Sequence, residues 1–74
     1  MLIYSQDKKN VIDARLLEVQ RTIGGKNDAK YAIIAFGEST GQVIAARFAD
    51  EKTATDALEK AFQAFELGAK TYRF

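Results

Sequence analysis

The chain has 74 residues, no cysteine, no histidine and a formal net charge of +1. A chain of that length closes one hydrophobic core, so residues 1–74 are read as a single domain. The missing residue types exclude disulfide staples, the common zinc centres and His-dependent nucleophilic triads, and near-neutrality excludes a strong overall field toward DNA or a membrane.

Leu2-Ile3-Tyr4 opens the chain as a short strand, and Val11-Ile12 reads as a second extended piece. Between them Asp7-Lys8-Lys9-Asn10 is a run of turn formers. This opening is too short and too soon polar for a signal peptide, and with no cysteine the expected compartment is the cytoplasm. Over residues 16–23, Leu17, Val19 and Ile23 fall on one side and Glu18, Gln20 and Thr22 on the other, the two-residue period of a half-buried strand. Gly24-Gly25-Lys26-Asn27-Asp28 then reads as a hairpin loop. It lacks the glycine spacing and the following helix of a phosphate-binding loop.

Tyr31–Phe36 is apolar at every position and Gln42–Phe48 nearly so. Gly37-Glu38-Ser39-Thr40-Gly41 joins them with the length and chemistry of a hairpin connection. The period then changes. Ala54, Ala57, Leu58, Ala61, Phe62 and Phe65 recur at three- and four-residue spacing, which predicts one amphipathic helix over residues 51–67. Asp50 is placed to cap it, Glu51 complements its dipole, Asp56 and Lys60 are spaced as an i,i+4 pair, and Gly68 supplies a left-handed stop. Residues 70–74 alternate again as a short last strand or an ordered tail.

The expected class is α+β: an antiparallel β-meander of three to five strands, packed on one face by a single C-terminal helix. Neighbouring residues on a strand point to opposite faces, so Ile33 and Ile34 cannot both lie under that helix, nor can Val43 and Ile44. The second face is therefore expected to need a cover. Either Leu2, Tyr4, Tyr72 and Phe74 fold back over it, or a second copy pairs through strand edges or sheet faces. A domain this small without staples favours the homodimer.

Catalytic chemistry finds little to stand on. Ser5 and Ser39 have lysines nearby, but both lie in turns where serine bonds locally. Asn27-Asp28 and Asp50-Glu51 are isolated pairs, short of the converging oxygens a metal requires. The chain is read as not an enzyme, with no metal and no cofactor. Nor does any apolar run approach the ~20 residues of a membrane helix, so no membrane partner is expected. The preferred function is a self-associating, cytoplasmic protein-interaction module.

The alternative is a binder of single-stranded nucleic acid. Tyr4, Tyr31, Phe36, Phe48, Tyr72 and Phe74 lie outside the helix, accompanied by Arg15, Arg21, Lys26, Lys30, Arg47 and Arg73. Aromatic and basic residues on a sheet face stack bases and neutralise phosphates. The candidate nucleic-acid or partner-binding residues are Arg21, Lys26, Lys30 and Arg47.

Ser5-Gln6-Asp7-Lys8, Val11-Ile12-Asp13, Leu16-Leu17-Glu18-Val19 and the helix start Asp50-Glu51-Lys52 together resemble a family of small uncharacterised proteins from Gram-positive bacteria and their phages or other mobile elements. Members share an opening strand, an SQDK-like turn, a meander and a C-terminal helix. The helix here is richer in alanine and opens on Asp50, where the resembled pattern has threonine. The resemblance spans roughly residues 2–65. It implies a phage- or mobile-element-linked accessory protein and supplies no active-site residues.

Overall fold

The computed structural model describes residues 1–22, 29–38 and 41–74. In chain order the elements are β1 (Leu2–Tyr4), β2 (Val11–Asp13), β3 (Leu16–Arg21), β4 (Tyr31–Phe36), β5 (Gln42–Phe48), α1 (Glu51–Glu66) and β6 (Thr71–Arg73). The class is α+β, with the strands divided between two sheets ordered β3-β4-β5 and β2-β1-β6.

The first sheet is the antiparallel meander that the turn spacing predicts. Leu17 stands opposite Ala35 and Val19 opposite Ile33, so these four point to one face. Val43 joins them from β5. Between Ile33↔Ala46 and Ile34↔Ile44 the register slips by one residue, which leaves Ala45 as the extra residue of a β-bulge. Ile3, Ile33, Ala35 and Ala45 form the centre of the core, with Ala57 and Leu58 of α1 packed on it.

The helix ends follow the sequence closely. The Asp50 carboxylate accepts the Thr53 N–H at 2.7 Å, one of the orphan donors of the first turn. Gly68 sits at φ +87°, where a side chain is unfavourable, and its N–H reaches the Phe65 carbonyl at 2.9 Å. The expected Asp56–Lys60 pair is replaced by Lys52–Asp56 at 3.0 Å. Helical side chains lean toward the N-terminus, which brings Asp56 back over the preceding turn.

The second sheet changes the expected arrangement. β1 runs antiparallel to β2 and parallel to β6, and the register aligns Ile3 with Ile12 and Tyr72. All three pack into the core, as does Phe74. The termini therefore do fold back, but beside the helix on the same face of the meander. Leu2 and Tyr4 alternate away from that core; Leu2 is exposed, and the Arg73 guanidinium lies 5.1 Å over the Tyr4 ring. Close approach at the β2 side is set by Gly37, where a Cβ would come within 3.3 Å of Ile12 Cδ1.

On the far face of the meander no layer is present among the described residues. Ile34 is nevertheless only 7% exposed and Ala32 fully buried. β4 is the central strand: Ile34 lies between Glu18 and Ile44, and Ala32 between Gln20 and Arg47. The expected cover from the chain ends is corrected: Tyr72 and Phe74 pack into the core on the opposite face. Apolar surface remains at Leu16 and Ile44.

Candidate functional site

The apolar stripe of α1 outruns the core beneath it. Ala54 and Ala61 are completely buried, whereas Phe62 and Phe65 are 54% and 58% exposed. Their rings stack with centroids 6.5 Å apart. With Thr55, Leu58 and Glu59 they form one wall of an open groove of about 540 Å³. Arg15, Leu16 and Leu17, at the start of β3, form the other wall, and Met1, Ile3 and Ala14 its end. The walls are mainly hydrocarbon, and the charged side chains among these lining residues are Arg15 and Glu59. Arg15 is engaged with Glu38 at 3.1 Å across an exposed ion pair.

The two outer edges of the meander differ. Gln6 covers part of the β5 edge: its N–H donates to the Ala45 carbonyl at 2.7 Å, and its Oε1 accepts the Arg47 N–H at 3.0 Å. Among the described residues no backbone hydrogen bond covers the outer edge of β3 beside the groove.

Gln6 is held by the turn that the sequence singled out. Buried Ser5 donates its hydroxyl to Asp7 Oδ1 at 2.6 Å and accepts the Asn10 N–H at 3.0 Å. The same Asp7 oxygen accepts the Lys9 N–H at 2.9 Å. Lys8 occupies the left-handed region at φ 65°. The Ser5 hydroxyl, followed by the Lys9 amide, holds the Asp7 carboxyl below the ordinary carboxylate range. At the helix start the Thr53 amide does the same for Asp50. Ser5 is thus engaged on both its donor and acceptor sides by the turn itself. Ser39 lies outside the described residues.

Arg21 closes β3 opposite Tyr31, Lys30 stands opposite Thr22 just before β4, and Arg47 lies on β5 opposite Ala32. All three are exposed and gather at one end of the meander. They do not share a face: Arg47 is on the far side, while Arg21 alternates toward the core side. Lys26 lies outside the described residues.

The six strand and tail aromatics are similarly divided. Tyr31 and Phe48 pair on the core face, and Tyr72 and Phe74 meet edge-to-face at 5.0 Å within the core. Phe36 is on the far face of the meander, and Tyr4 on the outer side of the second sheet. The aromatic pair that does face solvent, Phe62 and Phe65, was legible only as part of the helical stripe. The sequence signal was the change within that stripe from alanine to phenylalanine; how far the sheet extends beneath it is a tertiary fact.

Among the described residues no three His, Cys, Asp or Glu side chains converge as a metal site, and no helix is long and apolar enough to cross a membrane. No protein-family model matches the chain, and comparisons with curated proteins and with solved structures return no significant match.

Proposed function

We propose that this chain is a non-enzymatic interaction module of the cytoplasm that self-associates through the groove between α1 and β3. The observation that carries this reading is the exposure of Phe62, Phe65 and Leu16 beside an uncovered strand edge. Contiguous apolar surface of this kind marks interaction sites, and small domains without staples gain stability by association. The resemblance at the SQDK-like turn points to a phage- or mobile-element-linked setting. Single-strand binding draws less support, because the aromatics outside the helix are distributed over several faces.

Sedimentation equilibrium of the purified chain across the micromolar range tests the proposal. A reversible monomer–dimer equilibrium is expected. A strict monomer at every concentration overturns self-association. Salt-sensitive binding to labelled single strands, in that same monomer, transfers support to the nucleic-acid alternative.

A further inference from the structure

We propose that two copies join through the outer edges of β3, antiparallel about a two-fold axis at Val19, making one continuous six-stranded sheet with an α1 helix beside each side of the join. This rests on the self-associating reading above and supplies its geometry.

Backbone direction comes first. In an antiparallel ladder, residues bonded to the neighbouring strand alternate with residues that face away from it. The Thr22 N–H donates to the Lys30 carbonyl, and the register continues in step through Gln20↔Ala32, Glu18↔Ile34 and Leu16↔Phe36. Leu17, Val19 and Arg21 therefore turn their N–H and C=O groups to the outer edge. None of these groups has a backbone partner there among the described residues. β5 is partly closed by Gln6, and β2 and β6 are three residues each. The six-residue β3 is thus the longest open edge among the described strands, and unpaired edges of this kind recruit further strands.

Side-chain complementarity selects a second copy as the occupant. Two-fold pairing of β3 with itself has two central registers that keep matching faces together. With Glu18 on the axis, the two Glu18 carboxylates oppose each other and Arg15 meets the partner's Arg21; both contacts repel. With Val19 on the axis those contacts disappear. Val19 meets the partner's Val19, Leu17 meets the partner's Arg21, and Glu18 meets the partner's Gln20. The Gln20 amide already donates to Glu18 within one chain at 3.3 Å, so the same chemistry is repeated across the axis. All three edge-facing residues find partners in this register.

Charge and apolar area agree with it. Leu17 lines the groove together with exposed Glu59, so the partner's Arg21 arrives beside an acidic group on an otherwise apolar wall. Strand pairing alone covers far less than the ~800 Å² per partner of a stable interface. Phe62, Phe65 and Leu16, adjacent to the join, supply apolar surface for the remainder.

The absence of native cysteine makes single-cysteine cross-linking unambiguous. Glu18 and Gln20 are exposed, and in the proposed register they oppose one another as a non-hydrogen-bonded pair, with Cα atoms about 4.5 Å apart. Mixed E18C and Q20C proteins should form the E18C–Q20C disulfide in excess over either self-linked product. As a second test, Arg21→Pro removes an edge-facing N–H that has no partner within the meander. It should weaken self-association at least about tenfold while leaving the circular dichroism spectrum of the monomer unchanged.

E18C linking to itself as readily as to Q20C overturns the Val19 register. A dimer by sedimentation that gives no E18C–Q20C link, or that is unaffected by Arg21→Pro, overturns β3 pairing but leaves the interaction module standing. A strictly monomeric wild-type chain overturns both. Should Arg21→Pro fail to fold, the cross-linking at two exposed positions still decides.

Discussion

Ser5 shows how one small polar residue organises the opening of the chain. Its hydroxyl is buried and joins Asp7 to the Asn10 amide. Ser5→Ala removes the acceptor for that amide and the donor to Asp7, and should destabilise the fold by about 1–3 kcal/mol, measured by urea denaturation. The same turn contributes to acid sensitivity. Asp7 and Asp50 have lowered folded-state pKa values, caused first by the Ser5 hydroxyl and by the Thr53 amide respectively. Their stabilisation is fully present above the unfolded-state pKa and is lost as pH falls through the lower folded-state value. Denaturation midpoints should therefore hold at neutral pH and drop below the ordinary carboxylate range, and Asp7→Asn with Asp50→Asn should flatten that drop. The Asp7-Lys8-Lys9-Asn10 turn was legible from residue types alone. That Gln6 would reach across to the edge of β5 was not, because its two partners, Ala45 and Arg47, lie about forty positions further along the chain.

At the scale of elements, α1 is held by small residues. Ala54 and Ala61 are fully buried, and on the sheet below Ala35, Ala45 and Ala46 are buried as well. Alanine on both sides brings helix and sheet together closely and leaves no room for extra methylenes. Ala54→Leu should cost about 1–3 kcal/mol by overpacking, read as a lowered melting temperature. Phe65→Ser, on the same helix, should change monomer stability by no more than roughly 0.5 kcal/mol, because its ring is more than half exposed. The three- and four-residue spacing was enough to place this helix and its cap. It could not separate the alanines that the sheet covers from the phenylalanines beyond it.

Over the whole molecule the first and last strands meet. β1 and β6 run parallel, with Ile3 beside Tyr72 and the Phe74 N–H bonded to the Tyr4 carbonyl at 3.2 Å. Removing residues 71–74 strips a strand from β1 and takes Tyr72 and Phe74 out of the core. Losing a core aromatic costs about 3–5 kcal/mol when fully buried, and a native state of this size holds only roughly 0.05–0.15 kcal/mol per residue. The shortened chain should be largely unfolded at 25 °C by circular dichroism, and a cooperative native-like transition would refute this account of the second sheet.

Local chemistry determined the elements here: the two-residue alternation of β3, the Asp50 cap, the Gly68 stop and the α+β class all follow from interactions within a few positions of each residue. Pairing between distant segments was decided only by the tertiary structure. Three-residue strands carry too little period to announce their partners, so the sheet of β2, β1 and β6 had no local signature. The same holds for the inner strand. Ile34 stands between Glu18 and Ile44, a placement that exists only once three strands lie in register.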